Sequence, residues 1–244
     1  MPVDRVAIVT GGSRGIGAAV VHQLAARGVH VLFTYGTNAA AAADVAARAA
    51  AARSDVVPAQ HDLLTGDPEA LVRQAVQRWG RLDSIVLNAG IWAGGRIDRL
   101  DPDRWWEVVE TNLRGAHGLT RAAVPALRAS PAGSVVLVAS AVGLVGFPGD
   151  TAYASAKSAM VGFGRSLAKE LGSAGVRVNV LAPGFVETDM TAAIPPGSRD
   201  RILDRTVLGR FGASAEVAKA AVFLAEDATF TTGAVLTADG GWTL

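Results

Sequence analysis

The sequence predicts a doubly wound, mostly parallel α/β sheet, and three observations carry that expectation. Short β-branched apolar runs alternate with longer stretches of helical period from one end of the chain to the other. Most of those short runs are continuously apolar, as strands covered on both faces must be. The first of them breaks into a glycine-rich turn before a helix, the junction at which such sheets bind nucleotides.

Taken in order, the strand candidates are Val6–Thr10, Val29–Thr34, Asp55–Ala59, Ser84–Asn88, Val135–Ala139, Val176–Leu181 and Ala234–Leu236. Amphipathic segments separate them: Gly15–Arg27, Asn38–Arg53, Pro68–Trp79, Pro102–Arg128, Thr151–Leu171 and Ala215–Ala225. The alanine tract Ala39–Ala52 reads as a surface helix rather than low complexity, because Asp44, Arg48 and Arg53 supply polar positions at helical spacing. The stretch 129–149 carries no charge and is long enough to suggest a membrane span. Pro131, Pro148 and its glycines and serines argue instead for a buried strand, Val135–Ala139, followed by a glycine-rich loop. With no linker, composition break or internal repeat, residues 1–244 are expected to form one Rossmann-type domain of about seven strands.

Composition narrows the function. The chain is 50% hydrophobic and 18% charged with a formal net charge of +1, which excludes the basic footprint of a nucleic-acid binder or a membrane-surface protein. Cysteine is absent, so disulfides, thiol nucleophiles and cysteine-ligated zinc are excluded together. His22, His30, His61 and His117 show no metal-ligand spacing, and no metal is expected. The start, Met1-Pro2-Val3-Asp4-Arg5, lacks signal-peptide architecture, which sets the expectation of a cytoplasmic protein.

The glycine turn reads Thr10-Gly11-Gly12-Ser13-Arg14-Gly15-Ile16-Gly17. Such a turn lets backbone approach a pyrophosphate, and the helix that follows offers unpaired N–H donors. Gly11, Ser13, Arg14, Gly15, Ile16 and Gly17 are therefore candidate cofactor contacts, as are Asp62-Leu63 and Asn88-Ala89-Gly90 at the ends of the third and fourth strands. Asp62 has an alternative use as a cap. An NAD site places an acid about 20 residues beyond the glycines. Here Phe33-Thr34-Tyr35-Gly36-Thr37-Asn38 offers none before Asp44. A 2′-phosphate beside Tyr35 would meet no carboxylate and could pair with Arg14, so NADPH/NADP+ is the expected cofactor.

Tyr153 and Lys157 stand four residues apart at the start of a helix and project from one face, in a chain with only two tyrosines and three lysines. Ser140 ends the fifth strand on the same sheet edge as the glycine turn. A tyrosine beside a cation that lowers its pKa from near 10 is suited to protonating an alkoxide at neutral pH.

Tyr153-Ala-Ser-Ala-Lys157, the Thr10-to-Gly17 turn, Asn88-Ala89-Gly90, Asn112 and Pro183-Gly184 together resemble the short-chain dehydrogenase/reductase family over essentially the whole chain. Leu87 stands where many relatives carry another asparagine. The resemblance implies a catalytic tetrad. Tyr153 is its proton donor, Lys157 lowers the tyrosine pKa and binds the nicotinamide ribose, Ser140 holds the carbonyl oxygen, and Asn112 seats a relay water. It gives Asp62 the adenine amino group, sets Pro183-Gly184 against the nicotinamide, and assigns Val186 and Thr188 to its carboxamide and the phosphates.

Within the family, Pro183–Met190, Leu208–Gly212 and the ending Ala238–Trp242 are most similar to 3-oxoacyl-acyl-carrier-protein reductases. That implies reduction of a 3-oxoacyl thioester, on carrier protein or coenzyme A, or of a related β-keto intermediate in fatty-acid or polyketide biosynthesis. An acyl carrier protein is then the possible macromolecular partner and a homotetramer the expected assembly. Two docking arginines of those relatives are Pro131 and Ala174 here, with Arg128 and Arg177 near them in sequence. The alternatives are a secondary-alcohol dehydrogenase acting on a sterol or sugar alcohol, and a non-catalytic cofactor-binding subunit.

The segment 189–211 is expected to be a substrate lid with its tip at Ile194-Pro195-Pro196-Gly197. Its Arg199, Arg201 and Arg205 either meet a phosphopantetheine or coenzyme A phosphate or form a solvated helix face. Trp92, Leu144, Phe147 and Phe185 are candidates for an apolar pocket, with core or subunit packing as the alternative. Trp105 and Trp106 fall on a helix that pairs between subunits in family tetramers and receive no catalytic role.

Overall fold

The computed structural model describes residues 5–49, 54–192, 194 and 196–244. Residues 1–4, residues 50–53 of the expected helix Asn38–Arg53, Ala193, and Pro195 of the expected lid tip lie outside the described residues. In chain order the elements are β1 Val6–Val9, α1 Gly15–Ala26, β2 His30–Tyr35, α2 Ala39–Ala49, β3 Val56–Gln60, α3 Pro68–Trp79, β4 Ser84–Leu87, α4 Pro102–Ala129 and β5 Ser134–Val138. Then follow α5 Val142–Val145, α6 Thr151–Leu171, β6 Arg177–Pro183, β7 Val186–Glu187, α7 Asp189–Ala192, α8 Pro196–Arg205, β8 Gly212–Ala213, α9 Ser214–Val222 and β9 Val235–Ala238.

Seven parallel strands form one sheet in the order β3-β2-β1-β4-β5-β6-β9. The chain winds outward one way from β1 and then back past it to β4, so a crevice opens between β1 and β4 at their carboxyl ends. The runs β1, β4 and β5 are buried along their whole length because helices cover both faces. One apolar layer joins Val6, Ile8, Ile85, Val135 and Val178 to residues of α3, α4 and α6. The opposite layer joins Ala7, Val9, Val86 and Val136 to residues of α1, α2 and α9.

Helix starts follow local chemistry. Asp67 accepts from the N–H groups of Glu69 and Ala70 with Pro68 next in line, and Asp101 accepts from Arg104 ahead of α4. Strand ends differ from the sequence expectation by a residue or so, for a physical reason. Thr10 and Asn88 leave their strands because the Thr10 hydroxyl accepts from the N–H groups of Asn88 and Ala89, at 3.0 Å each. The uncharged stretch 129–149 contains β5 and the short α5, and among the described residues no helix is long and apolar enough to cross a membrane. The elements α5, β7, β8, α7 and α8 were not foreseen; they are short or, in α8, strongly polar, and carry little periodic signal.

Candidate active site

The site is assembled at the carboxyl edge of the sheet. At the end of β1, Gly11 has φ +66° and Gly15 has φ +56°, backbone that favours glycine. A Cβ on Gly17 would stand 2.1 Å from the Gly11 carbonyl oxygen, and one on Gly12 would stand 2.6 Å from the Phe33 side chain. The turn is thus pressed onto β2 and onto itself with room only for hydrogen atoms. Asn88 locks it from the β4 side, its amide donating to the carbonyls of Thr10 (3.1 Å) and Gly11 (3.3 Å). The result is a backbone cradle at the start of α1, which fits a pyrophosphate.

Around that cradle the other cofactor candidates fall at the same edge. Ala89 and Gly90 close β4, Pro183 and Gly184 end β6, and a Cβ on Gly15 would meet the Thr188 methyl at 3.3 Å. Val186 is buried in β7, and Ile16 packs against the α1 layer. A cleft of about 500 Å³ lies by the ends of β2 and β3, lined by Gly36, Thr37, Gln60, His61, Asp62 and Gly66 among others. One Asp62 oxygen accepts from the N–H groups of Leu64 and Thr65 and from the Thr65 hydroxyl, bonds that hold its carboxyl below the usual range. Asp62 thus closes the turn at 63–65 through one oxygen and caps no helix, since the N-cap of α3 is Asp67. Tyr35 ends β2 and Leu63 packs under Gly115 of α4. The first acid after β2, Asp44, is paired with Arg48 on α2. Arg14 is exposed and lies 3.3 Å from Asp189.

Ser140, Tyr153, Lys157 and Asn112 converge from β5, α6 and α4. The Ser140 hydroxyl hydrogen-bonds Tyr153, and Ser140 and Lys157 are buried at the sheet edge. Lys157 donates from Nζ to the Val138 carbonyl at 3.0 Å and lies 5.5 Å from the centre of the Tyr153 ring. Asn112 donates to the carbonyls of Ile91 and Val108, at 2.8 Å each, while its buried Oδ1 has no partner among the described residues. A Cβ on Gly90 would lie 2.1 Å from that oxygen and 3.5 Å from Lys157 Nζ. Glycine there leaves an open acceptor beside the ammonium group, a seat for water.

The ionisation of the pair departs from expectation. Lys157 was expected to lower the Tyr153 pKa. Burial instead pushes the phenol up to about 12, only partly offset by the Ser140 hydrogen bond and assisted by the charge of Asp150. Burial also lowers Lys157 to about 8. The reason is directional: the ammonium group is turned toward the Val138 carbonyl, and desolvation dominates both side chains. Burial thus holds the Tyr153 phenol in its protonated form at neutral pH.

Phe147 and Phe185 stand edge to face at 5.8 Å and pack with Phe211 and the buried Trp242, and Phe185 also lines a cleft of about 490 Å³ with Val207, Leu208 and Arg210. Leu144 is partly exposed, and Trp92 donates its indole N–H to Asp150 at 2.9 Å. Of the arginines in 189–211, Arg199 pairs with Glu187 and lies over Phe211, Arg201 bonds within α8, and Arg205 lies 4.9 Å over Trp242. Arg177 is spent on the carbonyls of Leu224, Ala225 and Ala228, so it does not replace a docking arginine; Arg128 is exposed at the end of α4. Trp105 donates to the Thr151 hydroxyl and Trp106 is exposed. His30 stacks on Trp79, and no group of potential metal ligands occurs among the described residues. Sequence reasoning missed Asp150 and the aromatic contacts of Trp242, which have no local motif.

A family model described as enoyl-(acyl carrier protein) reductase matches residues 11–243. The chain belongs to the short-chain dehydrogenase/reductase family. Its curated relatives include the 3-oxoacyl-acyl-carrier-protein reductase of Escherichia coli K12, 38% identical over 244 residues, with 97% of this chain and 96% of the relative covered. The enzyme of the same name from Staphylococcus aureus Mu50 is 34% identical over 243 residues, with 99% of each covered. Among solved structures, a double mutant of a Serratia marcescens short-chain dehydrogenase/reductase matches with a TM-score of 0.91 at 33% identity, covering all of both chains. A blue fluorescent protein from a metagenomic library, solved with NADPH, matches to the same degree. The family places this chain among nicotinamide-dependent oxidoreductases.

Proposed function

We propose that this protein is an NADPH-dependent ketone reductase that converts a 3-oxoacyl thioester, or a related β-keto compound, to the hydroxy product. The observation that carries the reading is the meeting of a protonated Tyr153 with the Ser140 hydroxyl on the sheet edge that also bears the glycine cradle. The cofactor, held by the 11–17 turn, Asn88–Gly90 and Pro183–Thr188, supplies a hydride when bound. Ser140 orients the carbonyl oxygen, and Tyr153 gives that oxygen its phenolic proton. Lys157 and a water on the open Asn112 oxygen return a proton to Tyr153. Arg14, freed from its exposed contact with Asp189, pairs with the 2′-phosphate. The names of the curated relatives support a carrier-bound or coenzyme A-bound substrate, with segment 189–211 as its lid. A homotetramer is the assembly we infer, with the exposed Trp106 on α4 as a candidate subunit contact.

The test is NADPH consumption against acetoacetyl-coenzyme A, acyl-carrier thioesters and free ketones, with Tyr153→Phe as control. Thioester turnover that vanishes in the control is expected. Strong NAD+ selectivity with no β-ketoacyl turnover would overturn the proposal in favour of a secondary-alcohol dehydrogenase.

A further inference from the structure

Trp242 carries a buried polar group for which the catalytic scheme has no use. The residue is 1% exposed, and its indole N–H has no hydrogen-bond partner among the described residues. Asn112 Oδ1, the seat for the relay water, is the one other buried side-chain atom in that condition among them. A buried N–H without an acceptor is costly, and folded proteins leave few of them.

The turn after β9 fixes where this donor stands. The Asp239 carboxylate accepts from the N–H groups of Gly241 and Thr243, at 3.0 Å each, and from the Thr243 hydroxyl at 2.6 Å. Gly240 and Gly241 take φ of +63° and +82°, which bends the chain back toward the sheet. A Cβ on Gly184 would stand 2.6 Å from Asp239 Cα, so the turn is pressed onto the end of β6. Trp242 thereby joins the apolar cluster that adjoins the catalytic pair. That cluster holds Ala141 and Val142, which directly follow Ser140, and Tyr153 itself packs against it. The indole lies 5.2 Å from the Phe185 ring and 6.1 Å from the Phe147 ring. Ile202 and Phe211 of the segment 189–211 complete the cluster, and the Arg205 guanidinium lies 4.9 Å over the indole. Stacking of that kind engages the face of the ring. The N–H lies in the ring plane and is still without an acceptor.

A 3-oxoacyl thioester has a second carbonyl, one methylene away from the carbonyl that is reduced. With the first oxygen on Ser140 and Tyr153, the second needs a donor in the layer next to that pair. We propose that the Trp242 indole N–H is that donor, a specificity-determining group for substrates with two carbonyls in this relation. It is engaged as the segment 189–211 closes over the bound acyl group. Closure over a simple ketone leaves the N–H unpaired, whereas closure over a β-keto ester or thioester pairs it, so the site gains affinity for the dicarbonyl. The inference rests on the reading of this protein as a 3-oxoacyl reductase and names the group that recognises that substrate class.

The test compares ethyl acetoacetate with methyl pentyl ketone, a ketone of the same chain length that lacks the second carbonyl. Trp242→Phe keeps an aromatic ring and deletes the donor; Trp242→His is smaller still but keeps a ring N–H. Circular dichroism confirms the fold of each variant. In Trp242→Phe, the ratio of kcat/KM for the ketoester to that for the simple ketone is expected to fall about 10-fold. The loss is expected in KM for the ketoester, with kcat for both ketones within about twofold of the parent. Trp242→His is expected to keep more of the ratio than Trp242→Phe, although it loses more packing. An unchanged ratio, a fall shared equally by both ketones, or a ratio no higher in Trp242→His than in Trp242→Phe overturns the inference and leaves Trp242 a packing residue whose N–H is met by buried water. A Tyr153→Phe protein that still reduces both ketones overturns instead the reading beneath it, whatever Trp242 does.

Discussion

Substituting alanine for Gly17 tests whether the glycine cradle is as tight as its geometry requires. The added Cβ would stand 2.1 Å from the Gly11 oxygen, 2.8 Å from the Gly11 carbonyl carbon and 2.6 Å from Asn88 Nδ2. Ordinary contacts begin near 3.4 Å, so the turn must retreat by more than an ångström, and two of the three atoms are backbone. Overpacking of this kind costs about 1–3 kcal/mol. The retreat also strains the bonds from Asn88 to Thr10 and Gly11, worth about 1 kcal/mol each. A net destabilisation of roughly 2–4 kcal/mol corresponds to a fall in Tm of about 5–15 °C for a chain of this size. Displacing pyrophosphate contacts by an ångström is expected to weaken NADPH binding by about 100-fold. Gly28→Ala is the control: its Cβ meets nothing within 4 Å, although its φ of +81° is unfavourable for alanine. It should cost about 1 kcal/mol and leave cofactor binding alone. Binding is read from nicotinamide fluorescence and stability from thermal melts. NADPH affinity within threefold of the parent in Gly17→Ala would refute the cradle.

Four further outcomes follow from the same structure. Tyr153→Phe should lower kcat for ketone reduction by about 10²–10⁴ while leaving the Kd for NADPH nearly unchanged, as read by steady-state kinetics and titration. Arg14→Ala should raise the Kd for NADPH by about 10-fold or more and leave NADH binding alone, since a charge-assisted bond is worth about 1.5–3 kcal/mol. Gly36→Asp, at a position with open space, should move preference from NADPH toward NADH, measured as the ratio of kcat/KM values. Asp83 is 1% exposed; burial would raise its pKa, but both Arg81 donors, the Ser130 hydroxyl and the Val6 N–H outweigh that and hold it low. Its contribution is therefore complete above the unfolded-state pKa near 3.9 and is lost as pH falls through the lower folded value. Asp83→Ala should cost about 3 kcal/mol at neutral pH and flatten the acid limb of the urea midpoint.

Periodicity and motif were enough for the architecture. The seven strands were legible as short, continuously apolar runs, the six amphipathic helices as a 3.6-residue period, and Ser140 by its place just after a buried strand. The glycine turn and the Tyr153/Lys157 spacing are equally local, because both depend on residues within one turn of each other. The short elements from 186 to 213 were not legible, since β7, α7 and β8 are too brief to show a period and α8 is strongly polar.

What tertiary structure alone decided is the electrical state of the site and the employment of its neighbours. Sequence spacing put Lys157 beside Tyr153 but could not say that its ammonium group turns to the Val138 carbonyl while burial raises the phenol. Nor could it pair Trp92 with Asp150, 58 positions away, or set Trp242 against Phe185 and under Arg205. Nor could it show that Phe147 and Phe185 pack with Trp242, or that Arg177 donates to distant carbonyls. Amino-acid order determined which groups reach the sheet edge, because strand and helix periods are local. Their protonation and partners depend on desolvation and on contacts between remote segments, and those exist only once the chain has folded.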